Sequence, residues 1–332
     1  MRNLGANTVD SKRIGVVMGG PLSAREASRR SGRAVVEALE QAGYDVAVLD
    51  LGPQQEPAEV LRRARFDVAF LALQGRYGEN GCVQGLLELL QIPYTGSGVL
   101  QSALAADKLK AKELFRLHNV ATPAYYALSS SATRERILDA HGSFGYPVIV
   151  KPRREGGRVG VTRVNDAEAL VSAIHAVSAF DTDVLVERFV PGCEVTVGLL
   201  NGRVLGALEV APLSGVFNVT TEPRLSPVLR ENVLHLAERA ASALDVSGAV
   251  QVDLIVTDNQ NEYVLEVNTL PSFADSSPFT RIAEAAGFNR VDLCRSLVDH
   301  ASLGMKLPTV AQKASVVALN KAEERELRAV AG

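Results

Sequence analysis

Val250-Gln251-Val252-Asp253-Leu254-Ile255-Val256-Thr257-Asp258-Asn259-Gln260-Asn261-Glu262-Tyr263-Val264-Leu265-Glu266-Val267-Asn268 sets two apolar runs on either side of a polar, turn-rich segment. Val250 to Val256 and Tyr263 to Val267 read as strands, and Asp258 to Asn261 as the loop of an antiparallel hairpin. Pairing Thr257 with Glu262 and counting up the ladder places Asp253 opposite Glu266. Opposed residues have Cβ atoms about 5 Å apart, and like charges there destabilise a sheet unless a cation lies between them. Asn268, two residues on, points to the same face. Two carboxylates and an amide oxygen form a hard-oxygen set suited to Mg²⁺, which takes few protein ligands and completes its shell with water and phosphate oxygens. A polar, solvated sheet face is the other reading of the same pattern.

Working outward, strands at Glu194 to Leu200 and Arg203 to Val210 and a helix from about Pro227 to Leu244 make this region an α+β unit of mixed antiparallel pairing. The preceding unit has strands at Tyr146 to Lys151 and Gly160 to Val164 flanking a Gly/Arg-rich loop, a helix from Asp166 to Val177 and a strand at Val184 to Glu187. Nearer the N-terminus, Arg13 to Met18 reads as a buried strand ending in Gly19-Gly20. A helix from about Ser23 to Gln41, strands at Asp45 to Leu49 and Asp67 to Leu73, a helix at Gly81 to Leu90 and a short strand at Ile92 to Thr95 follow. This βαβ alternation predicts a small, mostly parallel α/β domain with functional loops at the carboxyl ends of its strands. One helix from Ser102 to Asn119 carries the chain onward. The expected organisation is a flexible leader (1–11), an α/β domain (12–104), two α+β subdomains (105–192 and 193–304) and a tail (305–332).

With 332 residues, 47% hydrophobic, 22% charged and a net charge of -3, the chain has the balance of a soluble protein of two or three units. No basic domain or aromatic-interleaved basic stripe points to nucleic acid or an anionic membrane. Arg29, Arg30 and Arg33, and Arg62, Arg63 and Arg65, read as solvated helix faces. Cys82, Cys193 and Cys294 lack metal or disulfide spacing, and Cys82 reads as a packed helix residue. A cytoplasmic location is expected, since Met1 to Arg13 lacks the apolar region of a signal peptide and no apolar run reaches membrane-spanning length.

Val148 to Val161 places Lys151 at the end of a buried strand and then a glycine-bearing loop, Glu155-Gly156-Gly157-Arg158-Val159-Gly160. Backbone N–H groups in such a loop can cradle phosphate oxygens while lysine supplies a point charge, although glycine-rich hairpin loops are also common for structural reasons. Lys108 is a second candidate cation. Glu187 and Glu194, on either side of Pro191-Gly192, are placed to accept hydrogen bonds from a nucleotide, or are plain strand-end charges. Neither a Walker A pattern nor GxGxxG is present, which weakens a dehydrogenase reading.

Taken in order, Gly19-Gly20, Gly78-Glu79-Asn80-Gly81 with Gln84-Gly85, Ile92 to Val99 leading to Asp107-Lys108, Val148 to Val161, Val184 to Glu187 and Glu266-Val267-Asn268-Thr269 resemble the ATP-grasp superfamily. The similarity runs from about Arg13 to Leu303 and is to its D-alanine–D-alanine ligase branch. It implies an N-terminal α/β domain and two α+β subdomains sandwiching ATP. By that resemblance Lys108 and Lys151 contact ATP phosphates together with a loop that includes Gly156, Gly157 and Val159. Glu187 meets the adenine amino group, Arg188, Phe189 and Val190 border the adenine, and Glu194 holds the ribose. Asp253, Glu266 and Asn268 bind two Mg²⁺ ions, or Mn²⁺ in their place. Lys151, Arg158, Gln251, Ser277 and Glu26 are the catalytic candidates. ATP would phosphorylate a carboxylate, and a small amino-acid-like amine would attack the acyl phosphate to give an amide. The resemblance also implies a homodimer formed through the first domain.

The chain departs from the branch on its substrate side. A glutamate that anchors the first substrate's ammonium falls at Ala24, with Glu26 matching the next family glutamate. The histidine before Gly75 is Gln74, the substrate-loop serine falls at Arg158, and an arginine that stabilises the tetrahedral intermediate falls at Gln251. A mobile loop carrying tyrosine and lysine is shortened to Val216 to Glu222. The expectation is therefore a ligase with a substrate other than D-alanine, in specialised natural-product metabolism, with Arg158 facing an anionic group on it. The alternatives are a genuine D-alanine–D-alanine ligase of peptidoglycan synthesis and a catalytically degenerate nucleotide-binding protein.

Overall fold

The computed structural model describes residues 12–20, 24–211, 218–220, 225–258 and 261–304. The leader, the tail and most of the loop from Val216 to Glu222 lie outside the described residues. The first sheet is three-stranded and parallel in the order β2-β1-β3, with β1 (Arg13–Gly19), β2 (Asp45–Leu51) and β3 (Val68–Leu71). A parallel sheet is covered on both sides, and β1 shows how. Ile14, Val16 and Met18 pack with Val35, Ala38 and Leu39 of α1 (Arg25–Gln41), whereas Val17 joins Leu61 of α2 (Pro57–Arg63) on the other side. Gly32 lets α1 lie close to the sheet, since a Cβ there would meet Met18 Cε at 2.6 Å. Next come the single turn α3 (Arg76–Glu79) and α4 (Cys82–Leu90). The short strand expected at Ile92 to Thr95 is reduced to bridges from Tyr94 to Ala69 and Ser302.

The single helix expected from Ser102 to Asn119 is two, α5 (Val99–Ala106) and α6 (Lys108–Leu117), broken at Asp107. Asp107 is extended, at φ -89° and ψ 96°, and its side chain accepts the N–H of Lys110 as an N-cap. Its carboxylate also pairs with Arg153, so a tertiary partner draws the residue out of the helix.

The second sheet has the order β4-β7-β5-β6, with β4 (Tyr125–Ser129), β5 (Val148–Pro152), β6 (Thr162–Val164) and β7 (Asp183–Arg188), all antiparallel. Val148, Val150, Val184 and Val186 pack on α7 (Arg134–His141) and α8 (Ala167–Ala176) through Ile137, Leu170 and Ile174. Strand alternation then sends Ile149, Lys151, Leu185 and Glu187 to the opposite face. The third sheet, β10-β9-β8-β11-β12, is also antiparallel, with β8 (Cys193–Leu200), β9 (Arg203–Ala211), β10 (Asn218–Thr220), β11 (Ala249–Val256) and β12 (Glu262–Asn268). Its Val195, Val197, Val252 and Leu254 pack on α9 (Pro227–Ala243), which leaves Glu194, Thr196, Gln251 and Asp253 facing the other way. The last helices, α10 (Pro278–Ala285) and α11 (Arg290–Asp299), return to the first sheet, where Phe273, Phe279 and Leu293 join Ile14, Val16 and Phe70.

Asp253 does pair with Glu266, but not by the ladder as counted. Val256, not Thr257, opposes Glu262, so the connection spans one residue more than expected; a bulge then leaves Leu265 without a partner between Leu254↔Val264 and Asp253↔Glu266. The two offsets cancel. A regular ladder from the true loop would set Asp253 against Leu265.

Cys82 is exposed at the start of α4, contrary to its expected packing, because the apolar face of that helix is made by Val83 and Leu87. Cys294 is the buried cysteine, and burial pushes its thiol up to about 12. No helix among the described residues is long and apolar enough to cross a membrane.

Candidate active site

The polar faces of the second and third sheets meet across a cleft, with the start of α6 and the loop after β5 between them. Lys108, first residue of α6, reaches across to Glu266, Nζ to Oε2 at 2.6 Å. The helix break therefore aims this lysine. Burial works against its charge, but Glu266 beside it raises its pKa overall. Asp253 accepts from Thr196 Oγ1 at 2.6 Å and from the Gln251 amide at 3.1 and 3.2 Å. Burial, and then the neighbouring Glu266 charge, push its carboxyl up to about 7, while Lys108 holds that of Glu266 below the usual range. The opposed carboxylates are thus offset by one ammonium and two neutral donors. Asn268 completes the set, its Oδ1 accepting the Leu270 N–H at 2.9 Å.

Lys151 Nζ lies 2.9 Å from Glu187 Oε1, and Lys112 Nζ reaches the same oxygen at 3.0 Å. Burial opposes the charge on Glu187; the two lysines outweigh it and hold the carboxyl below its ordinary value. Lys112, with its side chain fully buried, went unnoticed in the sequence. Its spacing was the available signal, since residues four apart on a helix share a face and Lys112 is four after Lys108.

The loop after β5 is held by ion pairs at several points. Arg153 Nε pairs with Asp107 at 2.7 Å, Arg154 with Asp181 and Asp183 at 2.8 and 2.6 Å, and Glu155 with Arg76 at 2.7 Å. Gly157 and Arg158 have φ of 62° and 63°, and Val159 N–H closes the turn on Gly156 O at 3.2 Å. Arg158 pairs with Glu194, so its counter-charge is a protein carboxylate and a substrate anion is not needed to explain it. Asp107 both caps α6 and anchors this loop. Asp107→Ala should lower stability by about 1–2 kcal/mol, the range for a lost cap, and raise the KM for nucleotide by displacing Lys108. Thermal melts and nucleotide titrations of the variant check both effects, and an unchanged nucleotide KM would refute the positioning role.

Along the segment after Glu187, Arg188 and Val190 line a groove with Thr122, Tyr125 and Tyr263, whereas the Phe189 ring lies under Arg163 at 4.0 Å. Two catalytic candidates are engaged with neighbours of their own. Glu26 is exposed on α1 and pairs with Arg29 at 3.0 Å. Ser277 caps α10, accepting the Thr280 N–H at 3.2 Å with Oγ 2.5 Å from Ser272 O, so its hydroxyl is engaged in holding that helix. The donor of Gln251 faces Asp253.

A parallel α/β layer followed by two antiparallel sheets with lysines and carboxylates on their facing sides is the architecture of an ATP-grasp enzyme. Residues 114–299 match the family model described as D-ala D-ala ligase C-terminus, and residues 52–97 the one described as D-ala D-ala ligase N-terminus. The chain belongs to the D-alanine–D-alanine ligase family, ATP-grasp ligases that form carbon–nitrogen bonds. It is 41% identical over 306 residues to the D-alanine–D-alanine ligase of Geobacter sulfurreducens, covering 89% of this chain and 95% of that one. The ligase of Anaeromyxobacter sp. (strain K) is 41% identical over 308 residues, 90% of this chain and 99% of that one. The D-alanine–D-alanine ligase of Bacillus anthracis, solved in complex with ATP, superposes with a TM-score of 0.79 at 30% identity, over 87% of this chain and 96% of that one. Relatives bearing this plain name give no support to the expectation of a different substrate in natural-product metabolism.

Proposed function

We propose that the protein joins two molecules of D-alanine at the expense of ATP, as the ligase of peptidoglycan synthesis, working in the cytoplasm as a homodimer. The observation that carries this reading is the 41% identity to a D-alanine–D-alanine ligase along 95% of its length. The first D-alanine carboxylate takes the γ-phosphoryl group of ATP, giving an acyl phosphate and ADP. The amine of the second attacks that carbonyl, expels phosphate and loses a proton. Catalysis of this kind is mostly positioning and charge neutralisation. Lys108 and Lys151 hold the phosphates, supported by the loop at Gly156, Gly157 and Val159. Glu187, with Arg188 to Val190, receives the adenine, and Glu194 the ribose once Arg158 releases it.

Asp253 and Glu266, opposed in register with Asn268 alongside, fit Mg²⁺, and Mn²⁺ accepts the same oxygen donors. The Asn268 oxygen keeps a lone pair beyond the one Leu270 uses. When bound, the metal would supply Lewis-acid neutralisation of phosphate charge. Gln251, where an arginine was expected, is a neutral donor and leaves more of the charge compensation to the lysines.

The test is ADP release and product analysis with ATP, Mg²⁺ and a panel of amino acids. One D-alanyl-D-alanine per ADP is expected with D-alanine alone. ADP release driven by another acid, with none from D-alanine, would return the reading to a divergent substrate.

A further inference from the structure

The reaction above brings an α-ammonium into the cleft, and that charge needs a carboxylate to meet it. Most carboxylates there are already engaged. Glu155 pairs with Arg76, Glu187 with two lysines, Glu194 with Arg158 and Glu266 with Lys108, while Asp253 takes the Thr196 and Gln251 donors. Glu26, the sequence candidate for this task, is exposed and paired with Arg29.

Glu79 is different. It ends the single turn α3, and its Oε1 accepts the Gly75 N–H at 2.9 Å. Its Oε2 points toward the phosphate-binding loop, 3.5 Å from where a Gly156 Cβ would stand, and among the described residues it forms no ion pair. Lys108, Glu266 and Glu155 are its charged neighbours, which sets it beside the phosphate-handling groups. On its other side, a Cβ on Gly75 would lie 3.0 Å from the Ala24 Cβ, so the Gly75 backbone that Glu79 grips is packed against Ala24. At Ala24 itself a methyl group offers an ammonium nothing.

Resting on the ligase reading, we infer that Glu79 is the anchor for the first amino acid's ammonium group, its Oε2 taking the charge while Oε1 stays on the Gly75 N–H. The Gly75 bond fixes the carboxylate before substrate arrives, so little side-chain entropy is lost on binding. Placed between Ala24 and Gly156, the ammonium lies on the N-terminal side of the loop that meets the transferring phosphoryl group. A neutral acid lacking the amine makes no use of this contact.

Glu79→Gln keeps the shape and an acceptor for Gly75 but removes the charge. In the full-length protein it should raise the KM for the first D-alanine about 10- to 100-fold, the scale of a lost charge-assisted hydrogen bond, with the ATP KM within about twofold of wild type. Adding Ala24→Glu to Glu79→Gln should recover part of the D-alanine affinity, because residue 24 lies across Gly75. A D-alanine KM unchanged by Glu79→Gln, or an ATP KM that rises equally, overturns the inference and leaves the ligase reading intact. If wild type ignores D-alanine but turns over another α-amino acid, the substrate reading fails and Glu79 is tested on that acid. No turnover with any α-amino acid removes both.

Discussion

Glu266→Gln should lower the rate of ADP release at saturating substrate by on the order of 10²- to 10³-fold, the scale of losing one preorganised charge-stabilising group. The substitution preserves the strand and the pairing with Asp253 while removing the charge that Lys108 uses and that the proposed metal ion would use. Lys108, buried and 2.6 Å from Glu266, loses its counter-ion and becomes free to leave the place proposed for the phosphates. Asp253 is relieved of a repelling neighbour, so its carboxyl falls back toward its usual range. The variant should need more Mg²⁺ to reach its reduced maximum. Steady-state ADP release against Mg²⁺ concentration measures both effects, and an unchanged Mg²⁺ requirement would remove Glu266 from the metal site.

The largest stability effect is expected at Glu187. Its side chain is 4% exposed and lies between Lys112 at 0% and Lys151 at 8%. Glu187→Ala leaves two buried ammonium groups facing each other without compensation, a change that costs about 3–5 kcal/mol in buried pairs of this kind. Lys112→Met, by contrast, leaves Glu187 paired with Lys151 and should be milder. The double variant Glu187→Ala/Lys112→Met should be more stable than Glu187→Ala alone, since one stranded charge is gone. Urea denaturation of the four proteins reads this out; equal midpoints for Glu187→Ala and the double variant would mean the lysines do not repel in the fold.

Much of the architecture was legible because the determining signals are local. Val16-Val17-Met18 before Gly19-Gly20, and the valines alternating with Lys151 and Glu187, state which residues face inward. The break at Asp107 was not legible, because Ala105-Ala106-Asp107-Lys108 contains neither glycine nor proline and the residue leaves the helix for Arg153, 46 positions away. Helices α10 and α11 carried readable start signals in Ser277-Pro278 and Asn289 that went unused. On the site, Lys108, Lys151, Glu187, Asp253, Glu266 and Asn268 come together as their pattern implied. Arg158, Ser277 and Glu26 instead have protein partners, Glu194, Ser272 and Arg29. Side chains of this kind are assigned by whatever packs beside them, which a linear pattern does not contain. The same limit hid the place of Glu79, whereas Lys112 was signalled by its four-residue spacing from Lys108.

The unpaired Leu265 has a consequence for how this hairpin can change over generations. A strand keeps a parity: inserting or removing one residue exchanges its two faces from that point onward. Glu266 and Asn268 lie beyond the bulge, so their parity is set at Leu265 and not at the tip. The tip at 257–261 can lengthen or shorten while the bulge stays in place and the carboxylates keep their facing. Straightening the bulge with Leu265 kept would turn Glu266 and Asn268 toward the apolar side occupied by α9 and bring Val267 out in their place, whereas deleting Leu265 would make the ladder regular with Glu266 still opposite Asp253. The bulge that absorbs this one surplus leucine acts as the punctuation that keeps two chemically different sentences, core and cleft, from being read in the wrong frame.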